Sequence, residues 1–132
     1  MKEFTILISD KNRNVREYLR REMASEGYHV RVAKNACEVL DCIYHFEPVD
    51  LVILDPELPD SDKIHLIEKI NNRLPTLPVI FHSFSREDVQ DIDVWGPVNY
   101  VEKEGRSIEH LKKAVSELLN HFGEISPLID KI

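Results

Sequence analysis

Short apolar runs alternate with amphipathic stretches five times along this chain. The runs are Thr5 to Ser9, Tyr28 to Ala33, Leu51 to Leu54, Val79 to His82 and Val98 to Val101. A short apolar run bounded by turn residues reads as a strand buried on both faces, the condition of a parallel sheet covered by helices. The intervening stretches repeat apolar residues every three or four positions, as a helix with one face on a core must. Val15, Leu19 and Met23 mark the first helix. Val39, Leu40, Ile43 and Phe46 mark the second, and Ile64, Ile67, Ile70 and Leu74 the third. Ile108, Leu111, Val115, Leu118, Leu119 and Phe122 mark the last and clearest. The fourth stretch, Arg86 to about Val94, is weak: Val89, Ile92 and Val94 stand among frequent acids.

Local punctuation agrees with this division. Gly27 stops the first helix, and Asn35 with Glu38 three residues later forms a capping box for the second. Pro48 and Pro75 close the second and third, while Ser85 and Ser107 cap the fourth and fifth. Strand–helix alternation with short connections predicts an α/β fold: a flavodoxin-like, doubly wound parallel sheet of five strands with five helices on its faces. Strand order 2-1-3-4-5 suits that chain path, with the more polar second strand at an edge. The 132 residues fit a single domain, with a core from about 4 to 122 and a tail from 123 to 132. That tail is apolar at Ile125, Leu128, Ile129 and Ile132; it extends the last helix, packs back, or contacts a partner.

Composition removes several function classes. A formal net charge of -7 argues against non-specific nucleic-acid binding, which needs a basic face. No run approaches the roughly 18 apolar residues of a membrane span. Met1-Lys2-Glu3-Phe4 leads directly into the first strand pattern, so a cytoplasmic protein without a signal peptide is expected. Cys37 and Cys42 match no redox or zinc spacing and read as reduced thiols.

Four polar residues close four of the runs: Asp10, Asp55, Ser83 and Lys103. In an open α/β sheet the ligand crevice lies at the carboxyl ends of the strands, where the strand order reverses. Placing strand 1 beside strand 3 makes Asp10 and Asp55 neighbours there. Two carboxylates, a hydroxyl and an ammonium suit a hard cation and an anionic phosphoryl group.

Four motifs give this arrangement a family likeness. They are Ile6-Leu7-Ile8-Ser9-Asp10, Asp50-Leu51-Val52-Ile53-Leu54-Asp55 with Leu58-Pro59-Asp60, Pro78-Val79-Ile80-Phe81-His82-Ser83, and Asn99-Tyr100-Val101-Glu102-Lys103. In this order and at these spacings the chain resembles the receiver domain of two-component response regulators from about Phe4 to Phe122. The resemblance implies that Asp55 is the phosphoryl acceptor. It implies that Asp10, Asp55 and the backbone carbonyl of Glu57 hold Mg²⁺ or another divalent cation. Ser83 would bond the phosphoryl group, Lys103 would pair with it, and Tyr100 would be the aromatic switch. The donor would be a histidine kinase or a phosphotransfer protein. Output would pass to a downstream protein partner through the face of helix 4, strand 5 and helix 5, with no nucleic acid, no membrane and no enzymatic turnover.

The chain also departs from the family pattern. Ser9 stands where a first acid is usual, which removes a negative charge from the cation site. Phe84 replaces a small residue directly after Ser83 and stands to narrow the path to Asp55. Glu104 replaces a proline after Lys103; a non-proline cis bond costs about 2.5–4 kcal/mol, so a trans bond is expected. Asp60-Ser61-Asp62-Lys63 lacks the usual glycine. These departures keep a second reading open, an unphosphorylated pseudo-receiver that serves as an interaction module. A small aspartyl-phosphate phosphatase fits poorly, because Glu57 and Pro59 stand where that chemistry needs Asp and Thr. Arg13, Arg16, Arg20 and Arg21 read as a solvated helix face rather than a kinase dock. His82 reads as a packed strand histidine beside the site, with pH sensitivity as the alternative.

Overall fold

The computed structural model describes residues 3–45, 48–60, 62–73, 77–95 and 99–130, with backbone alone over 91–95 and 121–130. The chain runs β1 (Thr5–Ser9), α1 (Arg13–Ser25), β2 (His29–Ala33), α2 (Ala36–His45), β3 (Leu51–Leu54) and α3 (Lys63–Asn71). It continues through β4 (Val79–Ser83), a 3₁₀ segment (Arg86–Trp95), β5 (Asn99–Glu102) and α4 (Ser107–Asp130). The five strands are parallel in the order 2-1-3-4-5, as the sequence predicts. The polar β2 occupies an edge.

Alternate strand residues feed two apolar layers, because side chains leave a strand on opposite faces. Leu7, Val52, Leu54 and Phe81 pack with Val39, Ile43, Leu66, Ile67 and Ile70 of α2 and α3. Ile6, Ile8, Leu51, Ile53 and Ile80 pack with Leu19, Met23, Leu111, Val115 and Leu119 of α1 and α4. Helix ends are fixed by the expected residue types. Asn12 accepts from the amides of Asn14 and Val15 to start α1, and Gly27 (φ 94°) takes the left-handed conformation just past its end. The Asn35 side chain accepts from the Glu38 amide, while the Glu38 carboxylate reaches the amide of Lys34, one residue before the cap. Phe46, Leu74, Pro75 and Val98, assigned to helix faces, a stop and a strand, lie outside the described residues.

The fourth of the five expected helices differs. Arg86–Trp95 winds as a 3₁₀-helix, so among the described residues four α-helices and one 3₁₀ segment accompany the sheet. Over 86–90, where side chains are described, only Val89 is buried. The tighter turn starts with the Asp88 amide bonding the Ser85 carbonyl, and the ammonium of Lys63 donates to the Asp88 carbonyl at 2.6 Å. Such long 3₁₀ runs are uncommon, since their hydrogen bonds are poorer than α-helical ones. Ser107 also differs: its amide bonds the Glu104 carbonyl, so it lies inside the first turn of α4 rather than capping it. The helical backbone then continues through the tail to Asp130.

Candidate functional site

The sheet ladder itself delivers the acids to one place. Each lies one residue beyond its strand, and the backbone pairing continues that far. The Asp10 amide bonds the Ala33 carbonyl at 3.2 Å, the Asp55 amide bonds Ser9 at 3.2 Å, and the Lys103 amide bonds Ser83 at 2.7 Å. Asp10 and Asp55 therefore sit side by side at the ends of β1 and β3, each only 1% exposed.

Lys103 reaches between them. Its ammonium is 2.8 Å from Asp10 Oδ2 and 3.6 Å from Asp55 Oδ2, with its side chain 9% exposed. Backbone amides satisfy the other oxygens: Asn12 donates to Asp10 Oδ1 at 2.8 Å, and Glu57 donates to Asp55 Oδ1 at 2.9 Å. The Lys11 amide makes a longer bond, 3.5 Å, to Asp55 Oδ2. Arg16 of α1 donates to the carbonyls of Asp10 and Lys11, at 2.8 and 3.2 Å, and so pins the β1–α1 loop. This arginine is no part of a purely solvated face. Arg20 does stay at the surface, paired with Glu17 at 2.7 Å.

One ammonium against two carboxylates leaves a net negative charge in a buried place, which favours a cation. Asp10 Oδ2 is paired with the Lys103 ammonium and accepts no backbone hydrogen bond among the described residues, so one of its lone pairs can serve a cation. No cluster of three or more His, Cys, Asp or Glu among the described residues could hold a metal. The side-chain ligands available are thus the two carboxylates, with a backbone carbonyl and water for the remainder. That donor set fits Mg²⁺, which takes oxygen ligands and usually retains several waters.

The other predicted residues are placed as follows. Ser9 is buried, and its hydroxyl donates across the sheet to the Ile53 carbonyl at 3.1 Å. Ser83 is at the site but turned aside: its hydroxyl donates to the Ser85 carbonyl at 2.9 Å, the ordinary behaviour of a strand-end serine. Tyr100 is half-buried against the α2–α3 layer. Its hydroxyl donates to the Ser83 carbonyl at 3.3 Å, and the Arg86 guanidinium lies 5.4 Å from its ring centre. Phe84 is 72% exposed, with its ring centre 5.0 Å from the Lys103 ammonium. Glu104 is exposed, 3.9 Å from His110, a separation and exposure at which a pair contributes little.

His82 is 3% exposed, and its Nε2 lies 3.4 Å from the Ser107 hydroxyl. Burial first, and then the charge of Lys103, push its pKa down to about 4, against an opposing pull from Asp55. The ring is therefore neutral at physiological pH. Asp60, expected only as part of a motif, accepts from the amides of Ala36 and Cys37 at 2.6 and 3.0 Å. No local spacing signals that bond, because its partners lie more than 20 residues upstream. Arg16 gave no signal beyond its place in a basic run.

Residues 6–116 match the response regulator receiver domain family. The chain is 36% identical over 75 residues to response regulator MprA of Mycobacterium sp. (strain KMS), a stretch that is 57% of this chain. It covers 32% of that protein, so the chain spans about a third of the length of the curated relatives it matches. Response regulator protein TrrA from Thermotoga maritima, solved in complex with Mg(2+)-BeF, is 30% identical with a TM-score of 0.77. That likeness covers 87% of this chain and 98% of TrrA. The signal receiver domain of an HD domain-containing protein from Pseudomonas fluorescens Pf-5 shares the fold, with a TM-score of 0.83 at 22% identity over 96% of this chain and 94% of that one. The match over residues 6–116, reinforced by the fold, makes this chain a member of the response regulator receiver domain family.

Proposed function

We propose that this receiver accepts a phosphoryl group on Asp55 from the phosphohistidine of a histidine kinase or phosphotransfer protein. The observation that carries the reading is one buried ammonium shared by two buried carboxylates at the switch point of the sheet. A carboxylate oxygen of Asp55 attacks phosphorus, the new P–O bond forms, and the P–N bond breaks with its electron pair leaving on the imidazole. Catalysis of such a transfer is mainly positioning and positive charge around the moving oxygens. The Glu57 amide orients Asp55 through Oδ1, and Lys103 offers its charge on the Oδ2 side. Asp10, Asp55 and the Glu57 carbonyl would hold Mg²⁺, which would supply the remaining positive charge.

The Ser83 hydroxyl reaches a phosphoryl oxygen only by leaving the Ser85 carbonyl. That exchange frees the start of the 3₁₀ segment, and Tyr100 is tied to the same residue. The signal then passes to a downstream protein through the 3₁₀ segment, β5 and α4. The phosphoryl group stays on the protein, so no dissociable substrate is turned over. The turned-aside hydroxyl and the missing first acid favour the pseudo-receiver as second reading. Calorimetry with Mg²⁺ and beryllofluoride, a phosphoryl mimic, separates them. A receiver binds beryllofluoride only with Mg²⁺ present and only with Asp55 intact; a pseudo-receiver binds none.

A further inference from the structure

We propose that Asp60 is a positioning residue that straps the loop carrying Asp55 and Glu57 onto the start of α2. The inference rests on the cation site proposed above. A helix leaves its first amides without intrahelical partners. In α2 the nearby Asn35 satisfies only one, that of Glu38, at 2.9 Å. Asp60 takes the two before it, Ala36 through Oδ1 at 2.6 Å and Cys37 through Oδ2 at 3.0 Å. A carboxylate at a helix N-terminus is favoured by the dipole as well as by the bonds. Burial works against the charge, yet the Ala36 and Cys37 amides outweigh it and hold the Asp60 carboxyl below its ordinary range.

The loop from Asp55 to α3 is short and is anchored at several points. The Glu57 amide closes on Asp55 Oδ1, Leu58 is buried under α2 and α3, and Asp62 caps α3. The strap stands between Leu58 and Asp62, on the same loop as the Glu57 carbonyl. Without it the loop loses the two Asp60 hydrogen bonds to α2, and the carbonyl and the Asp55 carboxylate lose a fixed separation. The Asn35 side chain caps the same helix through the Glu38 amide, within α2 itself, which makes it a built-in control.

The test compares full-length Asp60→Ala, Asp60→Asn and Asn35→Ala with the wild type. Two readouts are taken: exchange of the Glu57 amide in metal-free protein, and Mg²⁺ affinity by calorimetry. Asp60→Ala speeds Glu57 exchange and weakens Mg²⁺ about tenfold, the low end for losing a partner that orients metal ligands. Asp60→Asn, which keeps one acceptor, recovers part of both. Asn35→Ala lowers the melting temperature but leaves both readouts alone. Unchanged Glu57 exchange in Asp60→Ala overturns the strap, as does an equal change in Asn35→Ala. Faster exchange with unchanged Mg²⁺ affinity overturns its link to the cation. Wild-type protein that binds no Mg²⁺ overturns the cation reading itself, while the exchange comparison still decides the strap. If Asp60→Ala does not fold, Asp60→Asn against Asn35→Ala decides by the same criteria.

Discussion

The β1–β3 side of the site and the β4–β5 side are built differently. On the first, Asp10 and Asp55 are extensions of the strand ladder, fully buried, and held by backbone amides at both ends of the carboxylate arrangement. On the second, Ser83 is bonded to its own turn, Tyr100 hangs on one carbonyl, and Phe84 lies in solvent. The first side is preorganised to hold charge. The second rests on local bonds that can be exchanged at little cost, about 1 kcal/mol each. In the proposed function the first side would receive and the second respond, and Lys103 joins them: its backbone belongs to the second side and its ammonium to the first.

The largest expected effect tests the preorganised side. Lys103→Met leaves two carboxylates buried without a counter-charge, at a cost of about 3–5 kcal/mol. Added Mg²⁺ restores part of that loss, which urea midpoints with and without the ion will read. A loss below about 1 kcal/mol would show that the acids are not paired as tightly as the geometry states.

His82 gives the next effect, and its sign follows from a depressed pKa. The native ring takes a proton only near pH 4, whereas the unfolded ring takes one near its ordinary 6.5. Between those values the unfolded state binds more protons, so stability falls as pH falls through that window. The full contribution is on the order of 3 kcal/mol. His82→Leu should remove this acid-side decline, and stability measured from pH 7 to 4 in both proteins gives the difference. Parallel curves would contradict a buried neutral ring.

Ser9→Asp sharpens the comparison on its first side. The variant loses the bond to the Ile53 carbonyl, about 1 kcal/mol, and gains negative charge near the cation. Calorimetry should find tighter Mg²⁺ binding, and thermal melts without the ion should find lower stability. Unchanged or weaker Mg²⁺ binding would mean that position 9 does not address the metal. Phe84→Ala carries the smallest stability effect, under about 1 kcal/mol, because an exposed ring over an ammonium contributes little. A buried Phe→Ala change would cost about 3–5 kcal/mol. Its readout is the acetyl phosphate rate, which should rise once the ring beside Lys103 is gone. A stability loss with no rate change would place the ring in the core instead.

The same contrast governs what could be read from the sequence. Asp10, Asp55 and Lys103 were legible because strand length and apolar runs fix where a ladder ends. The order 2-1-3-4-5 then fixes which ends are neighbours. The orientation of Ser83 was not legible, since a hydroxyl chooses among nearby acceptors that no pattern ranks. Nor was the 3₁₀ winding of Arg86–Trp95, where Lys63 reaches a carbonyl 25 residues away. Asp60 and Arg16 act through backbone partners, whose identity the side-chain sequence does not encode. Phe84 was visible as a departure, but its exposure was set by the turn after β4.

Intact-mass measurement after incubation with acetyl phosphate and Mg²⁺ tests the proposed chemistry most directly. Wild-type protein should gain one labile phosphoryl group, and Asp55→Asn, whose amide is no competent nucleophile, should gain none. A wild-type mass that never shifts, even with a histidine kinase as donor, would contradict phosphoryl transfer to this receiver. A shift that persists in Asp55→Asn would contradict the assignment of Asp55.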